Sequence, residues 1–306
     1  MTPYKFIRCF SFFLFLLTTT VSAQDLLSPV PHATHTTTLD NINLGDTNKI
    51  FRSQSGYLWI GTSEGLIRFD GYSAKRYKNN SKDDTSLSHN AVFDILEDKQ
   101  HNLWIATYGG GLNKFTPQTG QFETMDLRLK ETDDQVLELH FLSIDKQNQL
   151  WIGSTSGLLR FDITSKKAVA LPPALAQIPK ASINGALIDS QNNLWIGSFA
   201  YGVYYYQRKA NNAGKLHHFI HDETSSTSIS NNNIRTITTD ENGDIWLGTT
   251  QGLNKYNPTL KTFERFVPSN QKDINDSGFQ DDIIAIQTDH NGHLWIGTIG
   301  GGTMMF

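Results

Sequence analysis

The stretch Asn102-Leu103-Trp104-Ile105-Ala106-Thr107-Tyr108-Gly109-Gly110-Gly111-Leu112-Asn113-Lys114-Phe115 decides the fold, because variants of it recur throughout the chain. The other copies read YLWIGTSEGLIRF (57–69), QLWIGSTSGLLRF (149–161), NLWIGSFAYGVYYY (193–206), DIWLGTTQGLNKY (244–256) and HLWIGTIGGGTMMF (293–306). Together they hold all six tryptophans, Trp59, Trp104, Trp151, Trp195, Trp246 and Trp295, spaced by 45, 47, 44, 51 and 49 residues. A period in that range, carried by short β-type runs and tight turns, marks a propeller or another solenoid-like array.

Each position of the phrase has a physical task. Six residues before Trp stands Asp98, Asp145, Asp189, Asp240 or Asp289, with Ser53 in the first copy. Short polar side chains there bond to the backbone ahead and hold a turn. Three residues further on come Gly56, His101, Asn148, Asn192, Gly243 and Gly292, residue types that tolerate the positive φ of tight hairpins. Leu-Trp-Ile then runs as a strand, so the tryptophans read as core packing. Two residues past each Trp is Gly or Ala, small enough to let a neighbouring layer approach. A glycine follows (Gly65, Gly111, Gly157, Gly202, Gly252, Gly302), and four residues later an aromatic, opening a third strand.

Apolar runs such as AVFDILED and IRTITTD precede the Asp, and QFETMDL, KLHHFI and TFERFV follow the third strand. The chain therefore reads as all-β, a β-propeller of four-stranded antiparallel blades. Six repeats are visible, at about 46–80, 88–127, 136–171, 181–220, 230–267 and 281–306, the last one incomplete. A bare sheet edge at mid-blade is unfavourable. That favours a fragment of a larger propeller array. Pairing of the lead-in around Thr34 to Asp40 with that edge, closing a six-bladed ring, is the alternative.

Composition narrows the function classes. The 306 residues carry 26 basic against 30 acidic side chains, a net charge of −4, with no field to attract nucleic acid. Cys9 is the only cysteine, which excludes a disulfide framework and a cysteine-based zinc site. Residues 1–23 read as a signal peptide: Lys5 and Arg8, an apolar stretch from Phe10 to Val21, then Ser22 and Ala23. The stretch is too short to span a bilayer. Residues 24–45 form an extended lead-in, and the mature chain is thiol-free, as suits an oxidising compartment.

Several local patterns imitate chemistry. Gly61-Thr62-Ser63-Glu64-Gly65 spells a nucleophile elbow, but it is a strand-to-strand loop with Thr, Tyr, Phe or Ile at the serine position elsewhere. His217, His218 and His221, and likewise His290 and His293, lack the convergence that zinc requires, so no metal and no cofactor are expected. The repeated Asp residues sit once per blade and cannot share one catalytic centre.

The phrase D-x-x-G-x-L-W-I-G-T-x-x-G-L-x-[RK]-[FY] resembles the two-component regulator propeller repeat over residues 46–306, and the linkers DDTSLSHNAVFDI (83–95) and SSTSISNNNIRTI (225–237) resemble that family's blade connections. The resemblance implies the periplasmic sensor region of a hybrid histidine kinase or diguanylate cyclase, exported and serving as the ectodomain of an inner-membrane protein. It implies a small extracellular solute, often an oligosaccharide in related systems, and a homodimer is compatible with the full-length sensor. Any kinase or cyclase output, and any membrane contact, would lie in sequence beyond these residues.

Ligand-binding groups are expected on the face where second-to-third and fourth-to-first loops surround the channel. Tyr108, Phe199 and Tyr201 are aromatic where other blades are small or polar, Asn232 and Arg235 open the inner strand of blade five, and His89 and Asn90 open that of blade two. Aromatics would stack on a sugar ring while Arg or Asn bonds its hydroxyls. The competing class is a secreted propeller enzyme, a glycan hydrolase or lyase. It requires a convergent acid/base pair that the sequence does not display, so the residues shown read as non-catalytic.

Overall fold

The computed structural model describes residues 46–135, 137–209, 214–266 and 281–306. The expected signal peptide (1–23) and lead-in (24–45) lie outside them. The described residues form six antiparallel sheets in sequence order, a six-bladed β-propeller; five sheets have four strands, each paired to the next in the chain. The inner strands are Thr47–Arg52, Val92–Glu97, Leu139–Ile144, Ile183–Ile188, Ile234–Thr239 and Ile283–Thr288, and each of the first five neighbours the inner strand of the following blade. The second strands carry the tryptophans: Leu58–Thr62, Leu103–Thr107, Gln149–Ser154, Leu194–Ser198, Ile245–Thr249 and Leu294–Thr298. Outer strands vary most, from Gly214–Phe219 in blade four to the two-residue Lys167–Ala168 in blade three. Blade six has three described strands, ending with Gly302–Met305.

The core lies between blades. Trp104, for example, packs with Leu139, Leu142, Leu150 and Phe161 of the following blade, and Trp195 with Ile234, Ile237 and Tyr256. All six residues expected to tolerate left-handed backbone do adopt it, from Asn148 at φ 59° to Gly56 at φ 88°. The small residue two past Trp faces the next blade's inner strand. A Cβ on Gly197 would lie 2.5 Å from Ile234 Cγ2, and one on Gly248 2.7 Å from Ile283 Cγ2.

Candidate functional site

Backbone hydrogen bonds gather two loop sets onto one face. Within a blade, the loop after the second strand donates to the start of the inner strand: Ser63 N to Asp46 O, Tyr108 N to Ala91 O, Thr155 N to Glu138 O, Phe199 N to Ser182 O, Thr250 N to Asn233 O and Ile299 N to Asp282 O. Between blades, Gly109 and Gly111 N donate to Leu137 O, Gly202 N to Asn232 O, and Gly252 N to Asp281 O. A hydroxyl at the end of each second strand, Thr62 through Thr298, closes the loop by donating to the carbonyl of the following glycine.

At that face every inner strand carries a bulge. The register with the second strand skips one residue per blade, between Thr47 and Lys49, Val92 and Asp94, Leu139 and Phe141, Ile183 and Gly185, Ile234 and Thr236, and Ile283 and Ala285. The extra residues are Asn48, Phe93, His140, Asn184, Arg235 and Ile284. A bulge re-aims a side chain out of the ladder, and here five of the six reach the beginning of the next blade's inner strand or its bulge residue. Asn48 Nδ2 donates to Val92 O (2.9 Å). The Phe93 and His140 rings lie 6.1 Å apart. His140 Nδ1 is 3.2 Å from Ser182 Oγ, which donates to Asn184 Oδ1. Asn184 Nδ2 donates to Ile234 O (3.2 Å), and Arg235 donates from Nε and Nη2 to both oxygens of Asp282 (3.0 and 2.8 Å). Ile284 is 48 % exposed.

Charges at these junctions are matched. Lys49 Nζ is 2.8 Å from the buried Asp94, whose carboxylate also accepts from Ile95 N and Leu142 N. Asp282, equally buried, is the one paired with Arg235. Burial holds the His140 imidazole below its ordinary pKa, favouring the neutral ring.

Of the residues singled out from sequence, Tyr108 and Arg235 join this row. The Tyr108 ring lies 5.4 Å from Phe93 and is nearly parallel to His140 at 6.1 Å. Phe199 and Tyr201 are exposed on the same face in blade four, where Phe199 N holds Ser182 O. The other three brace linkers instead. Asn232 Oδ1 accepts from His221 N, Asn90 Oδ1 accepts from Asn79 N, and His89 Nδ1 accepts from Ala91 N while its ring lies under Gly109. Sequence reading passed over Asn48, Phe93, His140, Asn184 and Ile284. Their signal was available: each stands eleven residues before a Trp.

The Asp residues act as turn clamps. In Asp98, Oδ1 accepts from Gln100 N and Asn102 N while Oδ2 accepts from Trp104 Nε1 at 2.9 Å. The indole bond repeats at Asp145, Asp189, Asp240 and Asp289. Two clefts, of about 790 and 580 Å³, open beside the outer strands of blades four and five and include none of the bulge residues. Among the described residues no group of three or more His, Cys, Asp or Glu is placed to hold a metal ion.

Comparison with known proteins adds four findings. The family described as Two component regulator propeller matches at residues 86–109, 228–251 and 277–300. Histidine kinase P4 of Formosa agariphila is 40% identical over 70 residues, which is 21% of this chain and 5% of the kinase. The extracellular domain described for a hybrid two-component system of B. thetaiotaomicron superposes with a TM-score of 0.70 at 24% identity, covering 86% of this chain and 33% of that one. Virginiamycin B lyase from Staphylococcus aureus superposes at 0.61 with 14% identity, covering 85% and 79% of the two chains. At such identities the structural likenesses establish the fold. The chain spans about a third of the B. thetaiotaomicron domain's length and a small part of the kinase.

Proposed function

Because the chain belongs to the two-component regulator propeller family, we propose that residues 46–306 are a solute-sensing, extracytoplasmic module of a hybrid histidine kinase or diguanylate cyclase, and are not themselves catalytic. One observation carries this reading. Six blades share a nearly fixed frame, yet the bulge residue at this face varies from blade to blade, Asn in blades one and four (Asn48, Asn184) and Phe93, His140, Arg235 and Ile284 in the others. A frame that repeats while its rim varies suits recognition of one asymmetric molecule.

The relay follows from the position of these residues. They sit on blade junctions, so a solute bound there contacts two or more blades at once. It favours whichever blade arrangement it binds more tightly, which is the physical requirement for passing a signal to an output domain. The test is a thermal-shift screen of soluble glycans and small polar solutes on the exported chain, with product analysis. A solute that raises the melting temperature and is recovered intact supports sensing. Turnover of a glycan would replace it with the enzyme reading.

A further inference from the structure

The linkers that enter blades two and five, 78–91 and 220–233, fold alike. Asp83 N donates to Asn80 O and Ser86 N to Asp83 O, as Ser225 N does to Asp222 O and Ser228 N to Ser225 O. Asn80 N donates to Ser86 Oγ, which donates back to Asn80 O, and Asp222 repeats the exchange with Ser228. Each linker is fastened to the fourth strand of its own blade, by Phe122 N to Thr85 O and by Phe263 N to Thr227 O. This is the outer part of the linker, away from the row of bulge residues.

In blade five one side chain gathers the carbonyls of that turn. Arg265 donates from Nε to Ser228 O at 2.6 Å and from Nη2 to Ser225 O at 2.8 Å and Asp222 O at 3.4 Å. The same Nη2 also donates to Ser228 Oγ. Asp222 O and Ser225 O take the guanidinium on top of the linker's own bonds, because a carbonyl oxygen has two lone pairs. In blade two the register puts Thr124 at this point: it stands opposite Asn113 as Arg265 stands opposite Asn254. The equivalent residue is Arg76 in blade one and His218 in blade four. Blade two also carries Asp83 and Asp84 where blade five has Ser225 and Ser226. The Thr85 hydroxyl and amide hold the Asp83 carboxyl below its ordinary range, so it is anionic at neutral pH. Around the same three acceptors, blade two therefore has one cation fewer and two anions more.

We propose that Asn80 O, Asp83 O and Ser86 O, in a turn made anionic by Asp83 and Asp84, receive a guanidinium group from outside the chain. Its source is a small guanidine compound or an arginine side chain of a polypeptide. The class follows from blade five, where the structure shows which group this turn accepts. A planar guanidinium fork reaches several carbonyls at once, whereas an ammonium is a compact point charge. Calcium asks for about six to eight oxygen ligands, and among the described residues no group of three or more His, Cys, Asp or Glu is placed to hold a metal ion. Approach is open: Gln121–Met125 is the last strand of its sheet, and Asn80, Asp83, Asp84 and Thr124 are all exposed. The inference stands apart from the sensing reading.

The experiment follows backbone amide chemical shifts of the deuterated exported chain during titration with four probes. Two carry a guanidinium, agmatine and a blocked glycine-arginine-glycine tripeptide. Two are comparators, the matching lysine tripeptide and calcium chloride. The expected result is a saturable shift of the Asp83, Thr85, Ser86 and Thr124 amides with the guanidinium probes only. Thr124→Arg, which supplies a guanidinium from within as Arg265 does, is expected to weaken that binding by about tenfold or more. Its melting temperature, measured alongside, should not fall. Tighter binding of the tripeptide than of agmatine assigns the group to a polypeptide, and equal binding assigns it to a small compound. Equal shifts with the lysine tripeptide or with calcium overturn the guanidinium class. Binding that survives Thr124→Arg in the folded chain overturns the carbonyl turn as its site. No shift of these amides with either guanidinium probe overturns the inference altogether.

Discussion

At the scale of single residues, the clamp between Asp and Trp explains why the two recur six positions apart. One carboxylate satisfies turn amides with one oxygen and an indole with the other, so two buried polar demands meet in one side chain. The first blade shows what happens otherwise. Ser53 keeps the turn, its N–H bonding to Tyr57 O and its hydroxyl to Ser55 and Tyr57, but it cannot reach the indole. Trp59 Nε1 is buried without an acceptor. Ser53→Asp is expected to stabilise the protein by about 1 kcal/mol, and Asp98→Ala to cost about 2 kcal/mol, both read from urea unfolding. Exposed acids give a second expectation. The Ser73 and Tyr72 amides and the Ser73 hydroxyl hold Asp70 at about 2, and the Arg128 side chain and amide hold Asp126 at about 2. The Trp295 indole, with the Asn291 and His293 amides, holds Asp289 lower still. These folded values lie below the unfolded 3.8, so their stabilisation is complete above about pH 5 and is lost as pH falls toward 2. Carboxylate chemical-shift titration, alongside urea midpoints at pH 5, 4 and 3, checks the sign. A midpoint that rises on acidification would contradict it.

At the scale of strands and loops, the small residue after Trp and the inner-strand bulge are two sides of one contact. The inner strand of the following blade comes so close that a side chain on Gly197 would overlap Ile234, whereas a Cβ on Gly297 would meet only Ala285 at 3.5 Å. Gly197→Ala is therefore expected to cost about 1–3 kcal/mol, and Gly297→Ala almost nothing, measured side by side by thermal unfolding. Linkers show the same economy. In blades two and five, where the third strand reads Leu-Asn-Lys, Asn113 and Asn254 each accept from the amide of a linker serine and donate to its hydroxyl: Ser88 and Ser230. The Ser-x-Ser linker and the third-strand Asn are one buried unit, and both are visible in the sequence as recurring text.

At the scale of the whole molecule, stability is a sum over blades and the junctions between them. Ion pairs bridge several junctions: Lys49–Asp94 between blades one and two, Arg208–Asp145 between four and three, Arg235–Asp282 between five and six. Removing Arg235 leaves a buried Asp282 carboxylate unpaired. Arg235→Ala is expected to lower stability by about 3 kcal/mol. Hydrogen exchange should rise first in Ile234–Thr239 and Ile283–Thr288 and stay unchanged in Thr47–Arg52. Uniform loss of protection in every blade would instead mean that the array unfolds as one unit.

The sequence by itself determined the fold, because the clamp, the left-handed turn residue and the small residue after Trp are local devices whose spacing is written into each repeat. It also pointed to one loop face, and of the residues it named there the structure places Tyr108 and Arg235 in the row of bulge residues. Only the tertiary structure decided the rest. Asn48, Phe93, His140 and Asn184 look like ordinary strand residues in the text, since a bulge is defined by register against the second strand. His89, Asn90 and Asn232 looked free, yet their polar atoms are engaged by linker backbone. Whether a polar side chain is available to a ligand depends on what packs beside it, and across a blade junction that neighbour is commonly some forty or more residues away in the chain.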